Sequence, residues 1–155
     1  MIATFTIPGR VVPKIRWGRE RWTTRTTRYK ASCDRIRDFA ADAIPSPWPI
    51  RQPVRIGVAV FLSPVKSGAN KGGLPGNAGD WEGSFGAVAD ALQKPAAKGL
   101  RPFLAGDDPR YLRGPCDVAI PPEHDGATGY MLPSGVYLDD GRGERVVVTI
   151  REAGE

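Results

Sequence analysis

Two acidic pairs in this 155-residue chain have the residue types for metal-assisted chemistry. Asp80 and Glu82 stand two positions apart where a helix is expected to begin. Asp107 and Asp108 follow a loop punctuated by Gly and Pro. Carboxylates gathered from two places in a chain can share a divalent cation. Packed together without one, they repel, and a carboxylate pKa is raised. Each pair also has a plain structural reading: Asp80 as a helix N-cap, Asp107–Asp108 as a solvated turn.

The first pair must be positioned by the helix that follows it. Phe85, Val88, Ala89 and Leu92 fall at i, i+3, i+4 and i+7, the spacing of a core-facing stripe. Glu82, Gly86 and Asp90 recur every four residues and share another face. Acidic groups in the first turn also suit the positive end of the helix dipole. A strand is expected at Val54–Leu62, whose alternating Val, Ile and Leu residues mark a central position in a sheet. Further strands are expected over 2–7 and 145–151, with a bent one over 110–120 interrupted at Gly114-Pro115. A second helix is expected from Thr26 or Thr27 to about Ala43, stopped by the Pro-rich 44–49 stretch. Residues 121–143 read as an insertion with a short hairpin pairing 129–131 with 136–138. These elements predict a single α+β domain over residues 1–155, with a small mixed sheet of about four to five strands and two main helices.

Charge is unevenly distributed. Residues 1–51 hold eleven Lys and Arg against four Asp and Glu, and the remainder holds eleven against thirteen. A basic third beside an acidic remainder suits a polyanion-binding surface next to an acidic site. Within Arg10–Lys30 there are eight basic residues and one acid, Glu20, with Trp17, Trp22 and Tyr29 among them. Lys14, Arg16, Arg19, Arg21, Arg25, Arg28 and Lys30 are candidate phosphate contacts, and the aromatics are candidate stacking platforms for bases. The competing reading is a solvated basic loop whose tryptophans dock on the core. Lys66 and Lys71, on the Gly-rich loop before Asp80, are further candidates for DNA contact. That loop has no Gly-Lys-Ser/Thr element and so no phosphate-loop motif.

Cys33 and Cys116 make no disulfide framework, and with His124 the only histidine a zinc site is not expected. No run of residues has the length and apolarity of a membrane span, and the N-terminus has no signal-peptide pattern. These features point to a soluble intracellular protein.

Several motifs together resemble the RusA family of Holliday-junction resolvases. Phe5-Thr6-Ile7-Pro8-Gly9-Arg10 followed by Pro13-Lys14-Ile15-Arg16 is similar to that family's first strand and basic turn. Thr24 to Tyr29 is similar to its Thr-rich entry into the first helix. Asp80-x-Glu82 resembles its Asp-x-Asp pair, Asp90-Ala91-Leu92 its helix-end Asp-Ala-Leu, and Gly106-Asp107-Asp108 its second acidic element. The order matches over most of the chain apart from roughly 121–143. Asp139-Asp140 is a rival for the second acidic element. Asp107-Asp108 is preferred because two strands then follow it, as in the family.

The resemblance implies a RusA-like fold, a homodimer, and paired nicking of four-way DNA junctions in recombination and repair. It implies a bacterial or phage-encoded cytoplasmic protein. Phosphodiester hydrolysis needs an activated water and a place for developing negative charge. Mg²⁺ on carboxylate oxygens supplies both, with Mn²⁺ as an alternative. The implied ligands are Asp80, Glu82 and Asp108, with Asp107 next; Asp90 is either an outer-shell orienter or a structural cap. The chain departs from the family at Glu82, where Asp is usual, at Gly83, where Asn is common, and at Gly86, where the family carries a Lys thought to assist catalysis. Lys14, Lys66 or Lys71 is then the candidate to enter from a loop. The departures also motivate a second reading, a catalytically impaired junction- or DNA-binding protein. A third is a single-strand binder using Trp17 and Trp22.

Overall fold

The computed structural model describes residues 1–14, 24–76, 81–95, 101–106, 108–125 and 128–154, with the side chains of 24–26 and 124–125 excepted. The elements are β1 (Ala3–Pro8), α1 (Thr24–Ala43), β2 (Val54–Leu62), α2 (Trp81–Gln93), β3 (Leu112–Pro115), β4 (Val118–Ile120), the single-turn α3 (Pro122–Asp125), β5 (Tyr130–Leu132), β6 (Gly135–Leu138) and β7 (Arg145–Glu152). The chain is thus α+β, with two long helices and a mixed five-stranded sheet. No described helix is long and apolar enough to cross a membrane.

The sheet is built around β2, which is buried on both faces over most of its length. Strand β7 lies antiparallel beside it, pairing Val54 with Glu152 through Phe61 with Arg145, and β1 lies antiparallel on the outer side of β7. The other edge of β2 is shared by two short parallel strands in succession. β3 runs beside Val54–Ile56, and β6 beside Ala59–Leu62. Val58 falls at the break between them. There its N–H donates to Ser134 Oγ (3.1 Å), and its carbonyl accepts the indole N–H of Trp81 (2.8 Å). The break therefore satisfies both backbone groups and at the same time fixes the first residue of α2 to the middle of the sheet.

Both helices cover one face of this sheet. Ile36 and Ala40 of α1, Val88 and Leu92 of α2, and Ile56, Val58, Val148 and Ile150 of the strands share one apolar core. Each Ile or Leu so buried contributes about 1.5–3 kcal/mol. The opposite face, Ala59, Phe61 and Val147, is covered by Val118 and Ile120 of β4, with Leu132 and Tyr137 alongside.

Three expectations need correction. Segments 130–132 and 135–138 do not pair as a hairpin: β5 pairs antiparallel with β4, and β6 joins β2. Segment 121–143 thus supplies one strand to each sheet. The bent strand over 110–120 is two strands, β3 and β4, in different sheets. Finally, the stripe expected on α2 is buried at Val88, Ala89 and Leu92, but Phe85 is only partly covered, packed at the margin of the core and stacked at a tilt on Trp81 with ring centroids 5.1 Å apart. Ser84, Ala87 and Ala91 are buried as well, so the inward face is wider than the stripe.

The strand-to-strand crossing after β3 depends on Gly57. A Cβ there would stand 2.9 Å from the carbonyl oxygens of Cys116 and Asp117 and from Val118 Cγ2. Two of those atoms are backbone and cannot swing aside. Gly57→Ala is therefore expected to lower stability by about 1–3 kcal/mol, the range for overpacking a filled core. Gly76→Ala, where a Cβ meets nothing within 4 Å, is expected to leave the urea midpoint unchanged.

Candidate active site on helix α2

After β1 the chain is pinned step by step toward α2. Arg10 makes paired hydrogen bonds to Glu144, Val11 is buried in the core, and the Val12 N–H donates to Ser32 Oγ on α1 (2.9 Å). The Lys14 N–H then donates to the Gly83 carbonyl in the first turn of α2 (2.9 Å). This delivers the Lys14 side chain onto the face that carries Glu82, Gly86 and Asp90.

Asp90 is the centre of that face. It is 4 % exposed, yet its carboxylate is fully engaged. Oδ1 accepts from Lys14 Nζ (2.9 Å) and Gln93 Nε2 (3.2 Å), and Oδ2 accepts from Tyr29 Oη on α1 (2.7 Å). Burial by itself would push the acid's pKa up. The Tyr29 and Lys14 hydrogen bonds, with the charges of Lys94 and Lys14, outweigh it and hold the carboxyl below its usual range. The reciprocal effect raises the Tyr29 hydroxyl far above the ordinary tyrosine value, through burial first and then the Asp90 hydrogen bond. Tyr29 is therefore a neutral donor, and Asp90 an ionised acceptor.

The other expected residues are dispersed. Glu82 is exposed in the first turn of α2. Asp108 is half-buried, and Arg110 holds it through three contacts: Nε and the backbone N–H to Oδ1 (both 2.9 Å) and Nη2 to Oδ2 (3.0 Å). Those bonds keep its carboxyl below the usual range, so it is ionised. Asp80 and Asp107 lie outside the described residues. Among the described residues no three His, Cys, Asp or Glu side chains come together as a metal group. Glu82 follows Trp81, which is fixed at Val58, whereas Asp108 precedes Tyr111, whose carbonyl accepts the Val54 N–H (2.8 Å). These anchor points are about 13 Å apart along β2. The rival pair has other partners: Asp139 and Arg145 form a 2.8 Å ion pair with both side chains 7 % exposed, and Asp140 contacts Arg142 at 3.3 Å.

Of the candidate DNA contacts, Lys14, Arg28, Lys30, Lys66 and Lys71 are exposed. Arg25 is in the first turn of α1, and Arg16, Arg19 and Arg21 lie outside the described residues. Lys66 and Lys71 ride on a turn closed by Val65–Gly73 and Gly72–Val65 backbone bonds (2.9 and 2.8 Å). Sequence reasoning treated Tyr29 as an apolar helix position or a stacking ring and missed its hydroxyl as the partner of Asp90. The available signal was that an aspartate near the end of an apolar helix needs a donor, and Tyr29 faces the same core.

Tyr29→Phe should cost about 1–3 kcal/mol at neutral pH, because a buried carboxylate loses one of its three donors. Because the folded-state pKa of Asp90 is depressed, its stabilisation is present above the unfolded value of about 4 and is lost as pH falls through the lower folded value. The stability difference between the wild type and Asp90→Asn should therefore be largest near pH 6 and narrow toward pH 3 in urea titrations.

Compared with protein-family models, curated proteins and solved structures, the chain has no match.

Proposed function

We propose that the protein is a Mg²⁺-dependent, structure-selective endonuclease of RusA type that acts as a homodimer on four-way DNA junctions. The observation that carries the reading is how the basic segment is attached. At one end Lys14 is bonded to Gly83 and Asp90, and at the other Tyr29 is bonded to Asp90. A stretch rich in Arg, Lys and Trp thus begins and ends on the helix that carries Glu82 and follows Asp80 in the chain. A cationic loop held beside carboxylates is what phosphodiester hydrolysis requires: charges that bind the backbone, next to oxygens that hold a hard cation.

In this mechanism Asp80 and Glu82, on either side of Trp81 in the sequence, would hold the cation. Asp108, with Asp107, would complete the set in this reading. The donors are all carboxylate oxygens, which suits Mg²⁺ and, as an alternative, Mn²⁺. When bound, the ion supplies a water of lowered pKa and neutralises charge developing on the phosphate. Lys14, Arg28 and Lys30 bind flanking phosphates, and Lys66 and Lys71 extend the cationic surface.

The test is incubation with a synthetic mobile four-way junction at moderate salt. Paired nicks are expected in Mg²⁺ or Mn²⁺ and none with EDTA. Asp80→Asn should lower cleavage on the order of a hundredfold or more while junction binding persists. Cleavage should also fall at low pH as the ligands protonate. Metal-independent junction binding with no nicking in either metal would replace this reading with a binding-only protein. Tighter binding to single strands than to junctions would replace it with a single-strand binder.

A further inference from the structure

Helix α2 contains no Lys or Arg. On its Glu82–Gly86–Asp90 face the side-chain position at residue 86 is nevertheless filled, from elsewhere in the chain. A Cβ built on Gly86 would stand 3.2 Å from Lys14 Cδ and 3.3 Å from its Cβ, with Cγ at 3.8 Å. The Lys14 stem therefore runs over the bare backbone of Gly86, and its ammonium reaches Asp90 one turn further on, at 2.9 Å. The two partners are unequally exposed: the Lys14 side chain is 46 % exposed and that of Asp90 6 %. Asp90 has two other donors, Tyr29 and Gln93, so Lys14 is not its sole hydrogen-bond partner. The ammonium carries three N–H donors and commits one of them to Asp90.

We propose that Lys14 is a phosphate-contacting catalytic residue of this site, supplied from the β1–α1 loop to a helix that has no cation of its own. Gly86 is the position that admits it, and Asp90 is its positioning residue. This inference rests on the nuclease reading and deepens it. A lysine on a flexible stem is a diffuse point charge. Laid along Gly86 and clamped at its tip by an ionised, immobile carboxylate, it is held in one place at Asp90, on the helix face that begins with Glu82 two turns earlier. An ammonium so fixed meets a phosphate oxygen without first being ordered, which is the condition under which a single donor accelerates a charge-developing step. The arrangement also accounts for a glycine in the middle of a helix, where it costs about 1 kcal/mol relative to alanine.

The experiment compares Lys14→Met, which keeps the stem and removes the charge, with Gly86→Ala, which removes no charge but crowds the stem. A third variant, Lys14→Met with Gly86→Lys, plants a lysine at position 86 four residues before Asp90, within i,i+4 reach. Single-turnover cleavage of the junction is measured at saturating protein, with folding verified by circular dichroism. Lys14→Met should lower the rate roughly a hundredfold, the usual loss for one charge-stabilising donor. Gly86→Ala should lower it about tenfold, and the double variant should recover most of the Lys14→Met loss. A merely structural lysine would change the melting temperature and leave the rate of the folded enzyme alone. Wild-type rate in folded Lys14→Met, or no recovery in the double variant, overturns the inference while the nuclease reading stands. If the wild type cleaves nothing, the nuclease reading falls, and junction binding decides the inference instead. Loss of about one phosphate contact from the salt dependence in Lys14→Met, regained in the double variant, retains Lys14 as a phosphate contact. An unchanged slope, or no DNA binding by the wild type, overturns it.

Discussion

A single ionised carboxylate, that of Asp90, joins the three parts of the molecule that carry its candidate chemistry. It belongs to α2, it is bonded by Tyr29 from α1, and it is bonded by Lys14 from the loop between β1 and α1. A buried charge is tolerated only when its lone pairs are satisfied. Here three donors satisfy it, so the need to keep Asp90 paired fixes how α1, α2 and the loop meet. Apolar contacts alone would leave this undetermined. The inward face of α2 is mostly alanine and valine, a smooth surface against which α1 could slide at little cost. The directional bonds to Asp90 remove that freedom.

The sheet supplies the second constraint. Because β3 and β6 share one edge of β2, the edge has a break at Val58, and the Trp81 indole occupies it. The start of α2 is therefore set by the sheet and its far half by Asp90. The last turn is closed separately: the Phe103 and Leu104 amides both donate to the Leu92 carbonyl at 2.9 Å, and Arg37 Nε donates to Ala91 and Lys94. A helix fixed at its beginning, middle and end is a rigid support, and rigid supports are where precise chemistry is built.

Much of this was legible in the residues. Strand β2 has the bounds that its alternation predicts, because a central strand writes its burial into consecutive positions. Strands β1 and β7 and both long helices are legible for the same local reason. What the sequence hid is non-local. Nothing in Gly135–Leu138 distinguishes a hairpin partner for 129–131 from a parallel neighbour of β2, since pairing is decided by whatever edge is open after the chain has folded. On α2 the stripe was legible at Val88, Ala89 and Leu92, while the burial of Ala87 and Ala91, small residues that α1 packs beside, was not. At the site, Glu82, Gly86 and Asp90 were legible as one face by their spacing. Tyr29 and Lys14 were not legible as partners of Asp90, being 61 and 76 residues away.

The two anchors also bear on how the basic segment could bind DNA. Gly83 and Asp90 are seven residues apart on α2, roughly 10 Å along its axis. Whatever path residues 15–23 take, Lys14 and Tyr29 hold the ends of the segment within that distance. A polyelectrolyte tethered at one end loses much of its freedom when it meets a phosphate backbone, and that loss subtracts from affinity. A segment closed at both ends has already given up part of it. The cost is local repulsion between cationic residues that have one acid, Glu20, among them. The ionised carboxylate at the closure point, Asp90, offsets part of that repulsion where the segment begins and ends.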